Sequence, residues 1–453
     1  MTNTDKLSRE NFGTRFGVLV AMTGSAVGLG NLWRFPYLVG TNGGAAFICI
    51  YLFFVIVICL PIMFSEFVIG RRSRANAVKA YRSLAPGSHW GTAGLIAVIC
   101  SFVIISFYNV VGGWTINYLV RALTFSLTSA SQATLSQLFT HVASDVWLPL
   151  LTMFVFIAIT ALVVAAGVEK GIEKCAKIMM PILFVLVVII AVRSLTLKGA
   201  AAGIAFLFKP DFSAVTADTF LEAMGQAFFS LSLGAGMVMT YASYVKKDER
   251  IIQSSILIAA SDTLFAILAG CAIMPAVFAF GISPGEGPGL VFVTLPHVFA
   301  QIPGGNIMAI LFFFILFIAA LTSSISLMEV IVAYLKEEFH LRRSTAVAVT
   351  ALLITATGAL CSLSQGPLAN CTILGLTIFD LFDYVSANLL LTLGGLLAVI
   401  FMGWKLKKSD FTDELTNGGT LHISTVLISV IYFIVKYIAP CVIVVIMASG
   451  LIH

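Results

Sequence analysis

Charged side chains are scarce in this sequence: Asp, Glu, Lys and Arg make up 10% of its residues, whereas 59% are hydrophobic. A water-soluble domain carries about 25% charged residues, which cover its surface. The shortage of charge excludes an ordinary soluble domain and predicts an integral membrane protein. The formal net charge of +5 does not indicate nucleic-acid binding, because the basic residues lie between apolar runs, where they set orientation.

Sequence motifs of enzymes and pumps are also missing. The chain has no HExxH, GxSxG or GxxxxGK[ST] pattern, and its histidines are dispersed, which argues against a membrane enzyme or an ATP-driven pump. Its eight cysteines lack paired spacing, so we expect neither disulfides nor a metal site. The N-terminus has charges but no short apolar stretch before a small-residue cleavage site, and we expect no cleaved signal peptide.

What the sequence does contain is a series of long apolar runs. A membrane-spanning helix needs about 20 mainly apolar residues, and eleven runs meet that description. We number them as spans 1 to 11; the hydropathy of span 6 is the weakest. Their centres lie near Val20, Val55, Ile105, Phe156, Val187, Leu231, Leu268, Ile315, Ile354, Leu391 and Ile434.

Lysine and arginine alternate between the loops. They cluster at the N-terminus and after spans 2, 4, 6, 8 and 10, and basic loops stay in the cytoplasm. The N-terminus is therefore predicted to be cytoplasmic. An odd number of spans then places His453 outside the cell, in a multi-pass protein of the plasma membrane.

Two of the apolar runs are interrupted near their centres. Gly24, Gly28 and Gly30 each weaken the span 1 helix by about 1 kcal/mol relative to Ala. Span 6 carries a similar patch in FFSLSLGAGMVMTY, residues 228–241. Free backbone groups inside a membrane are tolerated only beside a cavity or a ligand, and paired interruptions five spans apart indicate a transporter binding site.

The exposed groups at such interruptions have a defined chemistry. Free N–H groups favour an anion such as a carboxylate, and free C=O groups favour a cation. Paired breaks therefore suit a zwitterion bound beside a metal ion. Close helix packing through small residues is the simpler explanation of either patch alone.

Four motifs in order along the chain resemble the neurotransmitter:sodium symporter family. They are GSAVGLGNLWRFPY (24–37), GQAFFSLSLGAG (225–236), LTSSIS (321–326) and FDLFDY (379–384). The resemblance extends from about Arg9 to beyond span 10. It implies one transmembrane domain with an inverted 5+5 repeat of LeuT type: repeat one at about 10–197, repeat two at about 217–405 and an extra helix at about 422–451.

The resemblance also implies two sodium sites. The site on spans 1 and 8 would use Gly24, Val27, Ala319, Thr322 and Ser323, and the last three share one helical face, as the i, i+3, i+4 spacing requires. The other would use Ala26, Asn31, Ser230, Ser261 and the substrate carboxylate. Family members often have Asn where this chain has Ser261. We predict that the following carboxylate, Asp262, replaces the chloride ion that some members require.

An amino-acid pocket is implied between the two interrupted spans. Monoamine carriers of the family have Asp at the position of Gly28, so Gly28 favours a substrate with its own carboxylate, for which Tyr108 is the expected partner. Apolar walls favour a hydrophobic L-amino acid, aliphatic or aromatic. The implied lining is Ala26, Gly28, Leu29, Gly30, Ile104, Tyr108, Phe229, Ser232, Ala235, Ser323, Ser326 and Leu327.

Gates and a hinge follow from the same resemblance. Arg34 and Asp383 would close the outer path above Trp33, and Arg9 and Glu337 would close the inner path near Tyr244. Gly171 and Pro181 resemble an element where span 5 unwinds to release sodium; a plain start of the span is the alternative.

Two other functions remain open. A proton-coupled amino-acid carrier of the same fold would titrate Asp262 or Glu329, and an ion channel would need a continuous polar pore. The sequence thus predicts a non-enzymatic symporter for two Na⁺ and a hydrophobic amino acid, without chloride.

Overall fold

The computed structural model describes residues 10–127, 132–281 and 290–452. Within these ranges the chain contains helices and one isolated bridge between Ile373 and Leu376, and no named strand. The predicted all-α architecture is confirmed for the described residues.

Nine helices of the described residues are long and apolar enough to cross a membrane, and a bent pair of helices makes a tenth. The predicted sixth span consists of two shorter helices, so the count of eleven stays a prediction. Spans 2 to 5 and 7 to 11 are Ala45–Ser73, Gly91–Leu123, Trp147–Ala165, Val168–Leu195, Ile251–Ala279, Gly305–Glu338, Arg343–Leu363, Ile378–Lys405 and Thr425–Ser449.

Span 1 is the bent pair. Its first half, Arg15–Ala26, begins at Thr14, whose side chain caps the N–H of Gly17, and its second half is Gly30–Thr41. The two halves meet at 52°. Val27 leaves the helical conformation with φ −70° and ψ 105°, so the predicted interruption of this span is confirmed.

Span 6 is interrupted more widely. Its first helix, Ala217–Ser230, starts with a capping box formed by Thr216 and Thr219, and its second, Met237–Ala242, is short. Between them Ser232, Gly234 and Gly236 adopt φ values of +55°, +86° and +76°. Left-handed residues stop a right-handed helix, which explains why the glycine-rich patch ends the first helix.

Five shorter helices and one 3₁₀ turn complete the described part of the chain. The helices are Ala77–Leu84, Gln132–Ser144, Ala200–Phe208, Leu290–Gln301 and Lys408–Leu415, with a 3₁₀ turn at Phe212–Ala214. Spans 3 and 8 lie at the centre of the bundle, where 72% and 67% of their most apolar stretches are buried; span 11, at 28%, lies at the edge. The first half of span 1 packs against spans 5, 7 and 8.

The loops predicted to be cytoplasmic meet at one end of the bundle. Arg71, in the last turn of span 2, contacts Glu414 beyond span 10 at 2.6 Å and the carbonyl of Glu249 after span 6 at 2.6 Å. Arg15, at the start of span 1, reaches the Glu249 side chain at 3.0 Å, and Arg343, after span 8, reaches the carbonyl of Val164 at the end of span 4 at 2.8 Å. We call this the N-terminal end.

The approach of span 10 to the interruption in span 6 generates a test. A Cβ on Gly394 would lie 2.1 Å from the carbonyl oxygen of Gly234, whereas a Cβ on Gly225 would meet nothing within 4 Å. Gly394→Ala is expected to destabilise the protein by about 1–3 kcal/mol through overpacking. Gly225→Ala, inside a helix, should be neutral or stabilise it by up to about 1 kcal/mol. Thermal unfolding in detergent measures both, and equal melting temperatures would refute the close contact between spans 6 and 10.

Candidate functional site

A small cavity lies between the two interrupted spans, at the centre of the bundle. Its free volume is about 40 Å³, well below the ~150 Å³ of a cavity that binds benzene. A bulky ligand therefore has to displace side chains from this arrangement. The lining is Ser25, Ala26, Gly28, Leu29, Gly30, Ile104, Tyr108, Phe229, Ser230, Ser232, Met237, Ser323, Leu327 and Leu391.

Most residues predicted to face a substrate line this cavity, and two lie behind it. Ala235 is fully buried and its carbonyl accepts a 2.7 Å hydrogen bond from Ser101. Ser326 donates to the carbonyl of Ser323 at 2.8 Å. The structure instead places Met237 on the lining. Met237 directly follows the last left-handed glycine, so its position depends on how the chain turns, which sequence spacing does not reveal.

The glycines of span 1 allow the neighbouring helices to approach. A Cβ on Gly28 would lie 2.5 Å from Oγ of Ser323, and a Cβ on Gly30 would lie 3.1 Å from the Phe229 ring. The N–H of Leu29 donates to the Tyr108 hydroxyl at 3.4 Å. Backbone of the interruption is therefore open to the cavity.

A buried polar cluster joins spans 1, 2, 6 and 7 at the edge of this cavity. Asn31 Nδ2 donates to Oδ1 of Asp262 at 2.8 Å and to Oγ of Ser230 at 3.1 Å. Ser230 donates to Oδ2 of Asp262 at 2.7 Å, and the Tyr51 hydroxyl reaches the same oxygen at 3.4 Å. Asn31 Oδ1 accepts the N–H of Gly28 at 3.0 Å. All five residues are buried, so a carboxylate and its partners are concentrated in a water-poor site.

Ser261 is predicted from the sequence to share a sodium site with Ala26, Asn31 and Ser230, but the structure places it outside the polar cluster. It is half-buried on span 7, and it is its neighbour Asp262 that contacts Asn31 and Ser230. A one-residue step on a helix rotates a side chain by about 100°. The sequence pattern could not show which of these two adjacent polar residues faces Asn31 and Ser230, because both occupy the same stretch of span 7.

The other predicted sodium ligands are brought together between spans 1 and 8. Thr322 Oγ1 lies 3.5 Å from the Val27 carbonyl and 3.1 Å from the Ala319 carbonyl. A Cβ on Gly24 would lie 3.4 Å from Cβ of Thr322, and Ser323 follows on the same helix. Carbonyl and hydroxyl oxygens are suited to a hard cation.

Backbone at the two interruptions is held by side chains. Oε1 of Glu66, on span 2, accepts the N–H of Gly234 at 2.6 Å, and Ser232 donates to the Ser25 carbonyl at 3.1 Å. Glu66 is 1% exposed, and its Oε2 has no hydrogen-bond partner among the described atoms. Glu66 is not among the residues predicted from the sequence, although a lone carboxylate inside an apolar run is itself a signal of function.

A larger cavity of about 370 Å³ lies on the other side of Phe229 and Leu391, which line both spaces. The Arg34 guanidinium lies over the Phe229 ring at 5.0 Å from its centroid. Among the described residues no salt bridge within 4.0 Å joins Arg34 to Asp383. Asp218 and Glu222 line this cavity with Arg34. Phe229 and Leu391 therefore separate the inner cavity from an acidic vestibule.

Trp33 packs in an aromatic cluster around Phe292. Its ring makes a T-shaped contact with Phe292 at 6.2 Å, and Phe292 in turn contacts Trp114 and Tyr118. Phe229 borders both cavities, whereas Trp33, which was predicted to lie beneath the outer gate, belongs to a separate aromatic cluster.

At the N-terminal end, Arg9 lies outside the described residues. Its predicted partner Glu337 accepts hydrogen bonds from Asn76, from the backbone N–H at 2.8 Å and from Nδ2 at 3.1 Å. The N–H of Phe12 donates to the carbonyl of Tyr244 at 3.1 Å, and their rings are in T-shaped contact. The chain before span 1 is thus attached to the end of span 6.

A buried ion pair that the sequence did not predict closes the same end. Arg343 and Glu329 form a 2.6 Å contact with Glu329 fully buried, and the Tyr244 hydroxyl donates to Glu329 at 2.6 Å.

Glu10 lies beside Arg343 and Lys336. Burial alone would raise the pKa of Glu10, but Arg343, the N–H of Val168 and Lys336 hold that pKa below its ordinary value.

The predicted hinge residues lie in span 5. Gly171 belongs to a wide π-type turn, Val168–Glu173, and Pro181 lies inside the helix that follows it, Lys174–Leu195. A Cβ on Gly171 would lie 2.0 Å from the carbonyl of Val163. Close packing against span 4 is thus one reason for glycine at this position, beside any unwinding.

Two interrupted helices that meet at an enclosed cavity with polar clusters beside it, inside an apolar helical bundle, define a secondary transporter. A family model described as "Sodium:neurotransmitter symporter family" matches residues 9–144 and 135–453. The chain belongs to that family, which makes it a sodium-coupled transporter of the membrane rather than an enzyme.

Individual relatives support this assignment. The chain is 40% identical over 433 residues to the "Uncharacterized sodium-dependent transporter YhdH" of Bacillus subtilis, covering 96% of each chain. It is 36% identical over 462 residues to a sodium-dependent transporter of Haemophilus influenzae, covering 100% of each. A solved structure, "Crystal structure of MhsT in complex with L-phenylalanine", is 45% identical with a TM-score of 0.90, over 98% of this chain and 100% of that one. The resemblance identified from the four motifs is confirmed.

The Glu66 contact generates a prediction. Glu66→Ala would leave the buried N–H of Gly234 without this acceptor, which costs about 1–3 kcal/mol. We expect a lower melting temperature and weaker substrate binding for this variant. Glu66→Gln keeps a carbonyl acceptor and should lose clearly less of both. If Ala and Gln behave alike, the hydrogen bond to Gly234 does not hold the interruption in place.

Proposed function

We propose that this protein imports hydrophobic L-amino acids, aliphatic and aromatic, by symport with two Na⁺ ions and without chloride. The observation that carries the proposal is the position of the Asn31–Ser230–Asp262 cluster and the Val27–Ala319–Thr322 cluster beside one cavity. Both clusters are rich in oxygen atoms, and both adjoin backbone freed by the span 1 interruption.

The charge and polarity of the lining support this substrate class. The N–H of Leu29 and the hydroxyl of Tyr108, which lie 3.4 Å apart on the cavity lining, suit an α-carboxylate. An apolar wall faces them, without an acidic residue among the lining side chains to meet a side-chain amine; it consists of Ile104, Phe229, Leu327, Met237 and Leu391. The complex of MhsT with L-phenylalanine supports such a substrate. An aromatic side chain would enter by displacing the flexible Met237.

Coupling would arise from the sodium site at Ala26 and Asn31, whose ligands would include the substrate carboxylate. A substrate carboxylate bound at the Ala26–Asn31 interruption would complete the ligands of one Na⁺, so that each stabilises the other. Asp262, hydrogen-bonded to both Asn31 and Ser230, is a better direct ligand candidate than Ser261. At 100 mV, two charges supply roughly 4.6 kcal/mol, equivalent to about a thousandfold substrate gradient.

Alternating access would use the two ends described above. We propose that Arg34, with Asp383, closes the vestibule over Phe229. Arg9, Glu337 and Tyr244 would close the N-terminal end, which we place in the cytoplasm because the basic loops meet there. The protein would reside in the plasma membrane with its C-terminus outside, and Gly171 and Pro181 would allow span 5 to unwind.

The proton-coupled alternative has a narrower basis in the structure. Glu329, one of its two candidate titrating groups, forms an ion pair with Arg343 and accepts a hydrogen bond from the Tyr244 hydroxyl. Protonating Glu329 would break a buried ion pair and leave the Arg343 charge uncompensated by it, which is costly. This alternative therefore depends on Asp262, which sits beside the cavity.

Uptake into proteoliposomes tests the function. We expect radiolabelled leucine and phenylalanine to accumulate under an inward Na⁺ gradient, with gluconate in place of chloride, and to be unaffected by lysine or glutamate in excess. Uptake driven by a pH gradient without Na⁺ would establish the proton-coupled carrier, and a non-saturating sodium current without amino acid would establish a channel.

The role of Asp262 gives a separate prediction. Asp262→Ser removes the only carboxylate hydrogen-bonded to Asn31 and Ser230 among the described residues, so two Na⁺ and a zwitterion would bring an uncompensated charge into the core. We expect uptake by this variant to fall at least tenfold without chloride and to recover partly at high chloride. Glu222→Gln, which changes a carboxylate of the vestibule, is the matched control and should stay chloride-independent. Chloride-dependent uptake by the unmodified protein would reject the compensation role.

A further inference from the structure

A basic and aromatic surface lies between the end of span 10 and span 11, away from the transport cavity. We define the lysine–aromatic patch as Trp404, Lys408, Tyr432, Lys436 and Tyr437. The Lys436 ammonium lies 4.9 Å from the centroid of Trp404 and 5.5 Å from that of Tyr437. The Lys408 ammonium lies 5.8 Å from the centroid of Tyr432. The patch thus presents two cations, each against an aromatic face.

The position of Lys436 is fixed by the packing of the two helices. The Trp404 indole donates to the Lys436 carbonyl at 3.0 Å, within the wide turn Ile434–Ile438 of span 11. The Tyr432 hydroxyl donates to the Gly403 carbonyl at 3.1 Å. A Cβ on Gly403 would lie 2.8 Å from Cα of Lys436. The patch is therefore held by two side-chain-to-backbone hydrogen bonds and by the close approach of the two helices at Gly403.

The lysines of the patch are not neutralised by the described part of the protein, where no carboxylate lies within 4.0 Å of Lys408 or Lys436. The adjoining acidic helix, Lys408–Leu415, directs its carboxylates to span 2 instead: Asp410 pairs with Arg72 at 2.7 Å and Glu414 with Arg71 at 2.6 Å. Lys436 lies inside an apolar span, where an ionisable residue requires a partner.

The surroundings of the patch identify the missing partner as part of the membrane. Trp404, Tyr437 and Phe433 are 62%, 46% and 54% exposed, on helices long and apolar enough to cross the bilayer. Tryptophan and tyrosine concentrate at the level of lipid headgroups. Ser429, which accepts from Lys408 at 2.9 Å, lies on the same face of span 11, two turns from Lys436.

We propose that the lysine–aromatic patch binds the phosphate headgroup of an anionic phospholipid from the leaflet at the N-terminal end. Basic pockets between transmembrane helices bind such headgroups, and each lysine near the surface contributes about 1 kcal/mol. The acyl chains would lie along the exposed apolar side chains of span 11, such as Val430 and Phe433. The site is independent of the transport cavity and of the proposed substrate.

Lipid binding to the delipidated full-length protein tests the site. Phosphatidylglycerol is titrated into the protein in neutral detergent, with bound lipid counted by native mass spectrometry and stability followed by thermal unfolding. Lys408→Gln should weaken phosphatidylglycerol binding about fivefold, and Lys408→Gln with Lys436→Gln more than tenfold. Lys246→Gln with Lys247→Gln removes the same charge from exposed lysines at the same end and should leave binding unchanged.

Other outcomes would overturn the proposal. Equal binding by the double variant and the unmodified protein would exclude the patch, as would equal stabilisation by phosphatidylcholine. Stabilisation by soluble glycerol phosphate alone would assign the patch to a soluble phosphate. Because Lys436→Gln could disturb folding, Lys408→Arg with Lys436→Arg serves as a second variant, and it must retain binding if charge is what the site supplies.

Discussion

Everything that makes this bundle a transporter depends on unpaired backbone inside an apolar environment. A helix that stops in the middle of a membrane leaves N–H and C=O groups that water cannot reach. Here the groups freed at Gly234 and Ser25 are met by Glu66 and by Ser232, and the N–H of Gly28 by Asn31. Carbonyls beside the cavity, such as that of Val27, are what a cation can use.

The same constraint explains why polar residues are concentrated where they are. Asp262, Ser230 and Asn31 are buried together, because each alone would be costly in the core and the hydrogen bonds among them offset that cost. Glu329 and Arg343 show the same arrangement at the N-terminal end. The first of these networks joins spans 1, 6 and 7, and the second joins the neighbouring spans 8 and 9.

The lysine–aromatic patch extends this reasoning to the outer surface. Asp262 and Glu329 find their polar partners within the protein, whereas the Lys436 ammonium, in the peripheral span 11, lies against the aromatic faces of Trp404 and Tyr437. A lipid phosphate would be the charged partner of Lys436 at the surface, as side chains are the polar partners of Asp262 and Glu329 in the core. The lipid would then contribute to the protein's stability without taking part in transport.

Local segments of the chain were enough to establish the membrane class, the interrupted spans and the family, because hydropathy, glycine placement and ordered motifs are all local properties. They also identified Asn31, Asp262 and Thr322 as polar residues of interest. Packing in three dimensions decided the rest: Asp262 rather than Ser261 contacts Asn31, Met237 lines the cavity in place of Ala235, and Glu66 holds span 6. These outcomes depend on helix rotation and on the left-handed turns at 232–236. Both are set by contacts between segments far apart in the chain, which no local pattern encodes.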